Sequence, residues 1–209
     1  MPLPSIKRIL NLDGPHGLDQ QEDWKARLQF AGAFLKNPLD IGAILPSSAA
    51  LARAITQGLE PGTGKILELG SGTGVFTQQL ITLGFAPDDL ILVERNPAMA
   101  ATLCRRFPQA CVLQAPAQAL GPENTPDFGH IGATICGLPL RNMGHNDHHH
   151  VLKATFQAMG PGGVLYLFTY GLRCPIAPQT LEAQNLTSTL RHIVLKNIPP
   201  ASVYCISRR

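Results

Sequence analysis

Lys65–Thr77 reads KILELGSGTGVFT, and LILVE follows at Leu90–Glu94. Ile66, Leu67 and Leu69 form a short apolar run, read as the first strand of a parallel sheet. Gly70, Gly72 and Gly74 come next, residues that accept positive φ and let backbone approach a ligand closely. From Val75 to Leu83 the apolar spacing turns helical, and Gly84 follows as a stop. The second apolar run, Leu90 onward, closes on the acid Glu94. Strand, glycine turn, helix, strand and acid in that order predict a doubly wound α/β fold. The acid stands where a ribose diol is bound.

The spacing of the glycines separates two kinds of ligand. A dinucleotide fingerprint, G-x-G-x-x-G, needs glycine at position 75, where this chain has Val75. The pattern here is E-x-G-x-G-x-G: Glu68, Gly70, Gly72 and Gly74, with Ser71 inside the loop. That spacing is used by methyltransferases that bind S-adenosylmethionine. The expected cofactor-binding set is therefore Glu68, Gly70, Ser71, Gly72, Gly74, Glu94 and Arg95, with Glu68 ordering the loop or holding the cofactor's cationic amino end.

The chain has 209 residues, enough for one domain with a sizeable core. It is 44% hydrophobic and only 15% charged. No apolar run approaches the ~20 residues of a membrane span, and no signal-peptide core opens the chain. Five scattered cysteines without a C-x-x-C pair point to reduced thiols and a cytoplasmic setting. Net charge is +3, unevenly placed: residues 141–209 hold seven basic and two acidic side chains, a local excess of +5 (7 − 2). Late loops of a doubly wound sheet lie over the ligand edge, so this excess suits an anionic partner such as phospholipid, nucleic acid or a phosphorylated small molecule.

Residues 21–36, QEDWKARLQFAGAFLK, have helical spacing, with Trp24, Leu28 and Leu35 on one stripe and Lys25, Arg27 and Lys36 beside it. Such a helix either packs on its own domain or lies in a membrane interface. A second helix is expected from Ser47 to Gln57. Further strands are expected at 90–94, 110–113, 131–136 and 164–170, with helices at 97–106 and 147–159 between them. HIVLKNIPPASVYCIS, His192–Ser207, reads as two strands around a Pro-Pro loop. The expected architecture is thus a mostly parallel seven-stranded sheet of the class I methyltransferase type, Rossmann-like, with a C-terminal antiparallel hairpin and N-terminal helices.

ICGLPL, Ile135–Leu140, closes the fourth strand. Amine methylases place a proline-containing turn there whose oxygens orient the target nitrogen. Gly137, Leu138 and Pro139 offer carbonyls but no side-chain acceptor, which disfavours a planar base. LFTYG, Leu167–Gly171, puts Tyr170 near the substrate side, where a hydroxyl can relay a proton from an amine that arrives as ammonium. Arg173 follows as a phosphate ligand. His145, His148, His149 and His150 are consecutive on a helix start, point in different directions and are not read as a metal site.

The chain resembles the bacterial phospholipid N-methyltransferases in FLKNPLDIGAILPSS (Phe34–Ser48), ELGSGTGVFT, VERNP, GLPL, GPGGVLYLFTYG and NIPPASVY. These enzymes methylate phosphatidylethanolamine stepwise towards phosphatidylcholine. The resemblance implies a membrane-association segment at 1–36, using Trp24, Lys25, Leu28 and Leu35, and a methyltransferase domain at 37–209. It implies catalytic roles for Tyr170, Gly137, Leu138 and Pro139. Ser47 and Ser48 would pack over the cofactor, and Lys36 and Arg173 would meet the substrate. The implied partners are a phospholipid and an anionic membrane surface at the inner face of the cytoplasmic membrane, with no nucleic acid and no obligate protein partner. The chain departs from the pattern after the third strand: where an acid usually holds the adenine, it reads Gln114-Ala115-Pro116-Ala117, leaving Gln114, Gln118 or backbone to do so.

Overall fold

A computed structural model describes residues 49–120, 130–197 and 199–209. Ser47, Ser48 and the 1–36 segment with Trp24, Lys25, Leu28, Leu35 and Lys36 lie outside the described residues.

The described chain runs α1 (Ala49–Ile55), β1 (Lys65–Leu69), α2 (Val75–Thr82), β2 (Leu90–Val93), α3 (Pro97–Arg106), β3 (Cys111–Leu113), β4 (Ile131–Cys136), α4 (His145–Ala158), β5 (Met159–Thr169), α5 (Pro178–Glu182), β6 (Leu186–Val194) and β7 (Ala201–Arg208). The seven strands form one sheet in the order β3-β2-β1-β4-β5-β7-β6. The first five are parallel, and β7 pairs antiparallel with both β5 and β6. This is the mostly parallel sheet with a terminal antiparallel hairpin expected from the sequence.

Burial explains the strand sequences. A sheet covered on both faces admits continuous apolar runs, and β2 (LILV) is buried at every position. Two cores result. Leu51, Ile55, Phe76, Leu80, Leu103 and Phe107 pack α1, α2 and α3 onto one face. Val151, Leu152, Phe156 and Leu181 pack α4 and α5 onto the other.

Element ends differ from expectation where side chains or bulges intervene. α2 stops at Thr82, and the left-handed turn at Gly84 (φ 96°) follows Leu83. α4 begins at His145, because Asp147 accepts the Gly144 N–H at 3.4 Å. β5 begins at Met159 rather than 164, since pairing with β4 starts at Ile131↔Met159 and resumes after a register shift at Ala133↔Val164. It ends at Thr169, so Tyr170 stands just beyond the strand. β6 begins at Leu186, six residues before the apolar run that signalled it, because exposed edge-strand residues need no apolar pattern.

One buried hydroxyl runs against this packing. Thr134, in the middle of β4, has no exposed surface, and its Oγ1 has no hydrogen-bond partner. An unsatisfied buried hydroxyl costs about 1–3 kcal/mol. Thr134→Val, which keeps the shape and removes the hydroxyl, is expected to raise unfolding stability by about 1 kcal/mol; a lowered denaturant midpoint would show that the hydroxyl is satisfied in solution.

Candidate functional site

The parallel register brings the carboxyl ends of β1, β2 and β4 level: Leu69 pairs with Val93 on one side and Cys136 on the other. Successive strands are added outward from β1 on one side (β2, β3) and from β4 on the other (β5), so the strand order switches between β1 and β4, which is where ligands bind in such sheets. Three turns therefore meet at one edge, after Leu69, Val93 and Cys136.

The first turn is the glycine loop. Gly70, Gly72 and Gly74 all have left-handed φ (69°, 53° and 77°), so the alternation G-x-G-x-G is a backbone requirement. A Cβ at Gly72 would meet nothing closer than 3.9 Å, which leaves that backbone open to a ligand. The loop is held from beneath. Ser71 Oγ donates to the Glu68 carbonyl at 3.2 Å, and Thr77 Oγ1 on α2 donates to Glu68 Oε2 at 2.6 Å. Glu68 has no exposed surface, and its Oε1 lacks a partner. Burial foremost pushes its pKa up to about 8; the Thr77 hydrogen bond opposes this and Glu94 adds to it. Of the two tasks expected of Glu68, ordering the loop is the one this geometry performs.

Glu94 ends β2. Its Oε2 accepts the Gly72 N–H at 2.9 Å, and its Oε1 accepts the Asn96 N–H at 2.8 Å. Asn96 in turn caps α3 by accepting from Ala98 and Met99. Glu94 is thus fixed at the open backbone of the glycine loop, where a ribose acceptor belongs. Arg95 and Gln114 are exposed beside it, and Ala115 is half-buried with its N–H on the Leu113 carbonyl at 3.1 Å. The residues present fit a nucleoside-bearing cofactor at this edge.

The third turn explains an oddity of the sequence. The Gly137 N–H donates to the Leu69 carbonyl at 2.8 Å, and a Cβ at 137 would stand 2.8 Å from the Gly70 carbonyl. The two loops approach too closely for any side chain at 137. The Leu138 carbonyl accepts the Leu140 N–H at 2.8 Å, so part of its acceptor capacity is used within the turn. Pro139 is exposed next to it. His148, buried, hydrogen-bonds the Leu140 carbonyl through Nε2 at 2.7 Å and so braces the turn from α4. Among the described residues, no three His, Cys, Asp or Glu side chains gather as a metal site.

Tyr170 stands against this edge, its ring edge-on to Phe168 at 5.5 Å. Burial raises its hydroxyl pKa, and a hydrogen bond with the Asn197 side chain opposes the rise. Arg173 is exposed in the following loop. Two residues joined here were not singled out from the sequence. Asn197 is buried, and its Nδ2 donates to the Pro199 carbonyl at 2.6 Å. Arg141 Nη1 donates to the Tyr170 carbonyl at 2.8 Å, tying the fourth-strand turn to the end of β5. Asn197 lies in the NIPP segment, but nothing in the spacing marks its contact with Tyr170, and nothing marks Arg141.

The raised pKa of Glu68 has a testable consequence. Its folded value lies above the unfolded one, so the folded state holds a proton that the unfolded state releases. That contribution to stability is full below about pH 4.5 and is lost as pH rises to about 8. Glu68→Gln keeps an acceptor for Thr77 without the titration. Its stability relative to the parent protein is expected to rise between pH 5 and pH 8 by a few kcal/mol, on the order of what such a shift carries. Parallel stability curves over that range would show that Glu68 is not held neutral.

No protein-family model matches the chain. Over 99 residues (47% of the chain) it is 32% identical to a trans-aconitate 2-methyltransferase of Methylobacterium radiotolerans, and the match spans only 35% of that protein. Over 186 residues it is 24% identical to an ornithine lipid N-methyltransferase of Singulisphaera acidiphila, covering 84% of the chain and 92% of that relative. Among solved structures, a glycopeptide N-methyltransferase, MtfA, in complex with S-adenosylmethionine superposes with a TM-score of 0.58 at 11% identity, over 77% of this chain and 94% of that one. The fold is that of the class I S-adenosylmethionine-dependent methyltransferases.

Proposed function

We propose that the protein is a peripheral-membrane methyltransferase that passes methyl groups from S-adenosylmethionine to the headgroup amine of phosphatidylethanolamine, stepwise towards phosphatidylcholine. The observation that supports this best is the juxtaposition, on one sheet edge, of the glycine loop and Glu94 with the wall made by Gly137, Leu138 and Tyr170. The first two suit an adenosyl cofactor. The wall offers carbonyl and hydroxyl oxygens to an amine. The residues after 30 that resemble phospholipid N-methyltransferases narrow the amine to a lipid. The methyltransferase of ornithine lipid, similar along most of the chain, favours a second reading, in which the acceptor is that lipid's amine.

The bound cofactor supplies an electrophilic methyl on a sulfonium. This chain's residues do the rest. Glu94 accepts from the ribose, and Gly72 presents open backbone beside it. The Gly137 carbonyl and the remaining capacity of Leu138 orient the amine. An amine with a lysine-like pKa of ~10.4 arrives protonated and has no lone pair until the proton leaves. The Tyr170 hydroxyl, neutral at physiological pH and moved further from ionisation by burial, accepts that proton only while passing its own on to water. Arg173 meets the headgroup phosphate. Residues 1–36, through Trp24, Lys25, Leu28 and Leu35, hold the enzyme at the inner face of the cytoplasmic membrane.

The test is transfer of radiolabelled methyl from S-adenosylmethionine to vesicles containing either phosphatidylethanolamine or ornithine lipid, with products separated by thin-layer chromatography. Label in methylated phosphatidylethanolamines is expected; label confined to ornithine lipid would transfer the assignment to the second reading. Glu94→Ala is expected to weaken cofactor binding by about 1–3 kcal/mol, read by calorimetry, and unchanged affinity would remove Glu94 from the ribose. Tyr170→Phe is expected to lower turnover by ~10²–10⁴-fold at unchanged cofactor affinity, with the loss shrinking as pH rises towards the amine pKa. A near-parental rate at neutral pH would leave water as the proton acceptor.

A further inference from the structure

Five large apolar side chains are exposed among the described residues, and four of them gather at one corner: Leu172 (74% exposed), Leu190 (44%), Ile193 (49%) and Leu195 (76%). Their grouping follows from register. Leu190 pairs with Tyr204, and Tyr204 Oη donates to the Leu172 carbonyl at 2.6 Å, which seats the 171–173 loop over that face. Ile193 pairs with Ser202, two residues from Tyr204 and therefore on the same face, because the register shift between Leu190 and His192 restores the phase. Leu195 projects from the turn that follows.

Exposed cations alternate with these side chains: Arg173 after Leu172, Arg191 after Leu190, and Lys196 after Leu195. From 171 to 209 the sole acid is Glu182, which is paired with Arg209 at 3.4 Å. The corner adjoins the candidate site, since the hydrogen bond between Tyr170 and Asn197 links the end of β5 to the turn that carries Leu195 and Lys196.

We propose that this corner is a membrane-docking surface, distinct from residues 1–36, that seats the mouth of the site on an anionic bilayer. The proposal rests on the reading of the substrate as a lipid amine. Apolar side chains on loop tips with cations between them match an interface of acyl chains beneath anionic headgroups. Edge-to-edge pairing with a second copy is the competing use of an outer strand. The irregularity at 190–192 and the exposed Arg191 oppose it, as devices that spoil a flat edge do. Docking here places the amine at the site while its acyl chains stay in the bilayer.

The experiment uses the full chain and vesicles of phosphatidylcholine alone or mixed with phosphatidylglycerol, so that no methylatable amine is present. Leu172→Gln/Leu195→Gln is expected to weaken binding to both vesicles ~10-fold or more. Arg191→Gln/Lys196→Gln is expected to weaken binding only to the anionic vesicles, by a similar ~10-fold, and to flatten its salt dependence. Unfolding midpoints should match the parent protein, because all four side chains are exposed. Methylation of a short-chain, water-soluble amine lipid should be unchanged while methylation in vesicles falls with binding. Parental vesicle binding by both variants would overturn the proposal. So would a change confined to oligomeric state, which would assign the corner to a second copy, or a gain in binding, which would assign it as the seat of the N-terminal segment. Binding is read without methyl transfer. A protein that methylates no lipid, but loses vesicle binding in these variants, would overturn the substrate reading and leave the docking surface standing.

Discussion

The hydrogen bond from Thr77 to Glu68 is the contact on which the site depends. A carboxyl with no exposed surface sits in β1, an inner strand of the sheet, where desolvation disfavours its ionised form. It stays there because a hydroxyl on the following helix satisfies one oxygen at 2.6 Å. That contact closes strand, loop and helix into a ring around Gly70–Gly74. With the loop fixed, Gly72 can offer its N–H to Glu94, and Glu94 can fix the turn into α3 through Asn96. Two carboxyl groups follow one another along the same route from core to edge. The inner one is kept largely neutral by burial and is structural; the outer one braces the glycine loop and the turn into α3 through its two oxygens. Their mutual repulsion adds to the rise in the inner pKa, so the division of labour reinforces itself.

How much of this was legible in the sequence varies with the range of the interaction. The parallel strands read easily, because burial on both faces leaves a continuous apolar run at 90–93 and an apolar run at 66–69 broken only by Glu68. The glycine alternation was equally plain, as each glycine answers a local backbone angle. Terminal β6 was legible only in its last few residues, since an outer strand needs no apolar code along its exposed side. The site was half legible. Glu68, Glu94 and Tyr170 follow from position at strand ends. Arg141 and Asn197 do not, because each acts on a residue 27 to 29 positions away, and a single sequence contains no record of such pairings. Gly137 was read as a missing acceptor; the structure shows instead a packing constraint between two loops. The same local code that makes the glycine loop easy to recognise is shared across the fold, which is why it identifies the ligand class better than the substrate.

The edge of the candidate site around Tyr170 has a consistent electrostatic character. Around Tyr170 stand an aromatic ring (Phe168), an amide (Asn197) and a guanidinium on its carbonyl (Arg141). None of these three is a carboxylate. For the lipid amine proposed as substrate, an ammonium placed among these three groups would lose hydration without a counter-ion from any of them, and desolvation and the Arg141 cation would both lower its pKa. Transfer to nitrogen requires the lone pair, so an environment that favours the neutral amine assists the step before any proton relay acts. Arg141 and the exposed Arg173 would attract the anionic group that an amine-bearing lipid carries elsewhere in its headgroup. On that proposal, repelling one end of a zwitterion while holding the other would fix its orientation, amine inward and anion outward. In the proposed function, the basic excess of the last third of the chain would serve the chemistry as well as the approach to a charged surface.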